Sequence, residues 1–174
     1  MNREYTANPV LETTRLFLRE LSSEADRDFI ARLLAHPEVM RYWPQPLTRE
    51  EADAWIEKQL GRYERDGCGY WLVSLRETGE PVGQAGVMMI EIDDVIEPGL
   101  GYIIDFSAWG NGYATEAAAA CVSYAFNTLG SDHIVAPIRP ANAASARVAE
   151  KVGMIRDKTT MYAGLEHLIY SVKR

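Results

Sequence analysis

Apolar and polar side chains alternate over residues 15–21 (RLFLREL), the period of a half-buried strand. Ser22 or Ser23 then caps a helix to about residue 35. It ends where His36 precedes Pro37, because the residue before a proline is pushed out of the α region. Thr48 followed three positions later by Glu51 is a capping-box pattern, and Ala52, Trp55, Ile56, Leu60 and Tyr63 recur at helical spacing up to Gly67. Three strand-like runs follow at residues 70–76, 81–92 and 100–106. Thr78 and Gly79 turn the chain between the first two, and an acidic loop over residues 93–99 separates the last two. A helix is predicted from about residue 112 to residue 129, apolar at Ala117, Ala118, Cys121, Val122, Ala125, Phe126 and Leu129 and stopped by Gly130. A short strand over 133–139, a helix over 141–152 and two strands around 156–162 and 167–172 complete the chain. The order is mixed α/β, with strand–helix–strand crossovers in the second half.

No repeat or linker interrupts this pattern, and 174 residues with 47% apolar side chains predict one domain over 1–174. At that length roughly 70% of the unfolded surface is buried, enough for a core without metal or disulfide staples. Cys68 and Cys121 form no ligand cluster and read as buried thiols, while His36, His133 and His167 lack metal-ligand spacing, so no metal is expected. The opening MNREYTANPV has no signal core, and the longest nearly apolar stretch, residues 117–126, is short of the about 18 residues a membrane span needs. A cytoplasmic protein without a membrane partner is the expectation. Eighteen basic against 25 acidic residues, net −7, argue against nucleic acid as a partner. The charge is uneven: residues 139–174 carry seven basic and three acidic side chains, residues 1–138 eleven and 22. A cationic ligand beside the first part and an anionic one beside the second fit this split, and so does a merely solvated basic face.

The chemistry concentrates in residues 100–117, LGYIIDFSAWGNGYATEA: a buried strand, a glycine-containing turn, then a helix whose first turn presents unpaired backbone N–H groups to an anion. Gly110 and Gly112 permit positive φ, and Asn111 tolerates it better than most residues. A P-loop is excluded because no Lys–Ser or Lys–Thr follows the glycines. A dinucleotide fingerprint fits only as Gly110-x-Gly112, since Thr115 replaces the third glycine and no acid near Arg139 would hold a ribose.

The segment resembles motif A of the GNAT superfamily of acyl-CoA-dependent N-acyltransferases, and WGNGYATEA is similar to its version in the RimJ/RimL-like branch. The resemblance implies a mixed twisted sheet flanked by helices on both faces, with acetyl-CoA as co-substrate. Its pyrophosphate would lie on the turn formed by Trp109, Gly110, Asn111, Gly112, Tyr113, Ala114 and Thr115. Trp109 stands where many relatives carry Arg or Gln, so backbone donors would replace that side chain. Residues 142–154, NAASARVAEKVGM, resemble the family's second motif, Asn-x-x-Ser followed by Lys-x-Gly-Phe, with Met154 for the usual Phe. Asn142 and Lys151 are thereby candidate cofactor-binding residues, although Asn142 and Ser145 also suit a helix cap.

Pro137 interrupts IVAPIR and lacks the N–H of a fully paired central strand, so a gap is expected beside it. In the family two parallel strands splay here around the pantetheine, and Ile103 and Ile104 match the positions that line the cleft, where a backbone N–H would polarise the thioester carbonyl. The tyrosine acid of many relatives is Ala149 here, which leaves Ser145 as the candidate to protonate the sulfur, directly or through water. The glutamate of RimL-like relatives is Gly99, and Glu91, Asp93, Asp94 and Glu97 remain as candidate bases or as a solvated loop. Glu116 reads as an acid favoured at a helix N-terminus. Tyr42, Trp43 and Trp55 would wall the acceptor pocket, and Arg139, Arg147 and Lys151 would meet the 3′-phosphate. The expected reaction is acetyl transfer to a primary amine, a small molecule or a protein N-terminus, with a cationic acceptor favoured by the acidic N-terminal part and a homodimer left open. A non-catalytic acyl-CoA-binding module and a nucleotide-dependent oxidoreductase are the rival readings.

Overall fold

Among the described residues eight strands form one sheet in the spatial order β1-β2-β3-β4-β5-β6-β8-β7. They are β1 (Leu11–Glu12), β2 (Leu16–Arg19), β3 (Tyr70–Leu75), β4 (Pro81–Ile92), β5 (Val95–Ile104), β6 (His133–Ile138), β7 (Ile155–Tyr162) and β8 (Leu165–Lys173). The computed structural model describes residues 8–174. The expectation of no signal core in residues 1–10 falls mostly outside them. The helices are α1 (Glu24–Ala35), α2 (Arg49–Asp66), α3 (Tyr113–Asn127) and α4 (Ala143–Lys151), and none is long and apolar enough to cross a membrane.

Strand alternation sends successive side chains to opposite faces and gives the sheet two cores. Trp71 and Val73 pack with Ala117, Ala118, Cys121 and Ala125 of α3 on one face. Tyr70 and Leu72 pack with Ile30, Leu33 and Leu34 of α1 and Ile56 of α2 on the other. Helices therefore cover both faces, as expected for the mixed α/β fold. Both cysteines are buried and free, and burial pushes the Cys68 thiol up to about 11.

Two local expectations need correction. The acidic stretch over residues 93–99 is not a loop. Asp93 and Asp94 take φ of 49° and 64°, a two-residue turn with both central residues left-handed, and β5 starts at Val95, in register with Ile92. Net acidity concealed a tight hairpin. The helix placed at residues 141–152 begins later, because Asn142 is its cap and not its interior.

All neighbouring strands pair antiparallel except β5 and β6, which run parallel and meet only at Gly99 and Val135. Pro137 lies two residues beyond that pair, still opposite Ile169 of β8. Beyond Leu100 β5 has a ladder partner on its β4 side alone.

Candidate active site

Three of the described helices have their N-termini closed by a side chain: Ser23 accepts from the Asp26 N–H, Thr48 from that of Glu51, and Asn142 from that of Ser145. The fourth, α3, starts at Gly112, which has no side chain to offer, and its first intrahelical bond runs from the Glu116 N–H to the Gly112 carbonyl. The N–H groups of Tyr113, Ala114 and Thr115 therefore have no partner inside the helix and sit at its positive end. Gly110 and Gly112 hold φ of 80° and 79°, a conformation that L side chains resist.

This turn borders a cavity of about 490 Å³ that also takes in Tyr102, Ile103 and Ile104 of β5 and Asn142, Ser145 and Lys151. A second cavity of about 420 Å³ meets it, and Tyr42, Trp43, Tyr102, Ile103, Asn142 and Ser145 line both. Trp55 lines the second. Trp109, Gly110, Gly112, Tyr113, Ala114 and Thr115 line the first cavity. Asn111 does not. Its side-chain amide donates to the carbonyls of Ala108 (3.0 Å) and Trp109 (3.2 Å), and its own carbonyl accepts from Arg15 (2.9 Å), so it shapes the turn from behind. Trp109 donates its indole N–H to the Ile104 carbonyl at 2.8 Å and pins the turn to the end of β5. Of the three basic residues expected at the 3′-phosphate, Lys151 lines the first cavity, Arg139 lines the second and Arg147 lines neither.

The open edge of β5 supplies backbone donors. The Asp105 N–H points at β4, where it donates to Val82 at 2.9 Å, and alternation sends the Ile103 N–H the same way. The N–H groups of Tyr102 and Ile104 then face the gap. The candidate carbonyl polariser is thus Tyr102 or Ile104, and Ile103 contributes its position on the lining only.

Where the two cavities meet, the Tyr102 hydroxyl donates to the Ser145 carbonyl at 2.7 Å and accepts from the Ser145 hydroxyl at 3.0 Å. Burial pushes the Tyr102 phenol up to about 12, so it stays protonated at neutral pH. Ala149, the helix position of the missing tyrosine, is buried in the core beneath α3. A phenol reaches the same helix from β5 instead, a juxtaposition that no local spacing in the sequence encodes.

None of the four candidate carboxylates lines either cavity. Asp93 is held by Lys158 (2.6 Å) and Thr160 (2.7 Å), and Glu97 by His133 (2.8 Å). A side chain at Gly99 would displace Ile90, since a Cβ there would lie 2.3 Å from Ile90 Cδ1. The second cavity offers His167 instead, which is only 9% exposed. Its Nδ1 lies 2.9 Å from the Leu165 carbonyl, an acceptor, so Nδ1 carries the proton and Nε2 is the free acceptor in the neutral ring. Glu116 faces away from both cavities and accepts from Thr13 Oγ1 (2.6 Å), the Arg15 N–H (2.8 Å) and Arg15 Nε (2.7 Å), tying α3 to the β1–β2 hairpin.

The model of the acetyltransferase (GNAT) domain matches residues 15–155. YkkB of Bacillus subtilis is 34% identical over 153 residues, covering 88% of this chain and 89% of its own. The N-acetyltransferase YoaA of the same organism is 30% identical over 151 residues, 86% and 84% of the two chains. The crystal structure of an acetyltransferase from Agrobacterium tumefaciens superposes with a TM-score of 0.85 at 30% identity, over 100% of this chain and 99% of the other.

Proposed function

Because the chain belongs to the GNAT acetyltransferase family, and is thereby an acetyl-CoA-dependent acyltransferase, we propose that it transfers the acetyl group to the neutral nitrogen of a primary amine by direct attack. The observation that carries the reading is the uncapped start of α3 on a cavity continuous with the gap between β5 and β6. The phrase WGNGYATEA supports reading the protein as a RimJ/RimL-like acetyltransferase that works in the cytoplasm.

The first cavity fits acetyl-CoA by the chemistry of its lining. Three backbone N–H groups at a helix N-terminus suit a pyrophosphate, and Lys151 adds a cation. The bound thioester supplies an electrophilic carbonyl carbon and a thiolate leaving group. The N–H of Tyr102 or Ile104 stabilises the oxyanion as the C–N bond forms. The Ser145–Tyr102 hydroxyl pair donates to the sulfur as the C–S bond breaks, and His167 Nε2 takes the proton that the new amide nitrogen sheds. The acceptor enters through the second cavity, past Tyr42, Trp43 and Trp55.

The thermal unfolding midpoint with acetyl-CoA, against NADH and ATP controls, tests the cofactor assignment. At 100 times its dissociation constant a ligand stabilises by about 2.7 kcal/mol, about 5–10 °C for a chain this long. Stabilisation by NADH and not by acetyl-CoA would overturn the assignment. Stabilisation by acetyl-CoA without thiol release on adding any amine would favour a binding module, the second reading that the absence of a tyrosine at Ala149 keeps in view.

A further inference from the structure

The charged side chains around the second cavity are all basic. Lys58 and Arg62, one helical turn apart on α2, and Arg139 at the end of β6 line it together with His167, and among the described residues no aspartate or glutamate does, in a chain where acids outnumber bases 25 to 18. The other titratable groups on the lining are phenols, those of Tyr42, Tyr70, Tyr102 and Tyr162. The acidic N-terminal part of the sequence suggested a cationic acceptor, yet its carboxylates point elsewhere.

The two guanidinium groups are positioned without being neutralised. Arg62 donates to Gln59 Oε1 at 3.1 Å, and fully buried Gln59 is itself fixed by the Trp55 carbonyl and the Tyr70 N–H. Arg139 donates to the Glu166 carbonyl at 2.5 Å. Both partners are neutral oxygens, and among the described residues neither arginine, nor Lys58, has a carboxylate within 4.0 Å. Arginines on the outer surface are treated differently: Arg27 pairs with Glu57, and Arg49 with Asp28 and Asp53. Two half-buried guanidinium groups held apart from any acid leave unspent positive charge where a planar anion can take bidentate bonds.

We propose that the acceptor is a small primary amine that also carries an anionic group, a carboxylate or a phosphonate. The anion is held by Arg62 and Arg139, with Lys58 at the rim, while the amine points to the Tyr102–Ser145 junction. This rests on the acetyl-transfer reading and narrows its substrate class. A cationic polyamine would set its second ammonium against these three cations, at a cost that the phenols cannot offset.

Release of CoA thiol should be measured with the full chain over α- and ω-amino acids, their carboxamides, aminoalkylphosphonates and spermidine. Acetyl-CoA stabilisation of the unfolding midpoint, followed in every variant, reports that the fold and the first cavity are intact. An amino acid or aminophosphonate preferred at least tenfold in kcat/KM over its uncharged counterpart is the expected result, and the better of the two anions identifies the group. In Arg62→Gln and Arg139→Gln that ratio falls toward one through KM. Carboxamides or spermidine used as well as, or better than, the anionic amines would overturn the inference and leave acetyl transfer standing. Acetyl-CoA binding with no amine of either charge acetylated would remove the acetyl-transfer reading, and this inference with it.

Discussion

A half-buried phenol and a serine hydroxyl bonded to each other and to one carbonyl are a compact proton source for a leaving sulfur. If Tyr102 is the group that reaches the sulfur, Tyr102→Phe lowers kcat by about 100-fold, at the lower end of what general acids contribute, with little change in acetyl-CoA affinity. Ser145→Ala costs less, because the Tyr102 hydroxyl and its bond to the Ser145 backbone carbonyl survive. A larger loss in Ser145→Ala than in Tyr102→Phe would instead make serine the donor. His167→Gln tests the other proton: the variant should lose kcat with little change in acetyl-CoA affinity. The motif spacing announced Asn142 and Ser145 because both lie within one helix start. Tyr102 and His167 were silent in the sequence because their partners are distant in the chain and a strand residue's neighbours depend on register, which one sequence does not reveal.

At the scale of the element, the turn before α3 works because something behind it bears load. Glu116 binds Thr13 and Arg15, and Arg15 also holds the Asn111 carbonyl, so one carboxylate braces both the helix and the turn. Burial alone would raise the Glu116 carboxyl, but the bonds from Thr13 and Arg15 outweigh it and hold the group below its ordinary value. Glu116→Ala removes several charge-assisted bonds and should cost about 2 kcal/mol, a drop of about 4–8 °C in the unfolding midpoint, together with weaker acetyl-CoA binding. A depressed folded value means that this contribution is complete above the ordinary glutamate value of 4.5 and fades as the pH falls through the lowered one. The midpoint gap between wild type and variant should therefore persist at neutral pH and close in acid. The capped helices were legible in the sequence because capping is local chemistry: Ser23, Thr48 and Gly67 stand where the signals put them. The β4–β5 hairpin was not, since Asp93 and Asp94 adopt the left-handed region without the glycine that normally advertises such a turn.

Across the whole molecule, the splay divides the sheet into β1 to β5 and β6, β8 and β7, joined in the ladder by one parallel pair. Pro137 made a gap legible, but the sequence did not reveal what stops the halves from parting. Besides the core under α3, two polar ties cross the divide: Asp93 to Lys158 and Thr160, and Glu97 to His133, which also binds Asp132 at 2.7 Å. The ties respond to pH in opposite directions. Bonds from Asp132 and then Glu97 raise the His133 imidazole despite its desolvation, so its contribution is complete below the ordinary value of 6.5 and is lost as the pH rises through the raised one. Lys158, then Thr160, lower the Asp93 carboxyl, so that contribution is complete above 3.8 and is lost only as the pH falls through the lowered value. His133→Gln should accordingly lower the unfolding midpoint at about pH 5.5 and hardly at all at about pH 9, whereas Asp93→Asn should lower it at both. Amide exchange in β6 should quicken in each variant under the same conditions. A His133→Gln deficit that stayed constant up to pH 9 would mean that the imidazole acts by packing and not by charge, and the closed end of the cleft would then owe its polar hold to the Gly99–Val135 pair and the Asp93 tie.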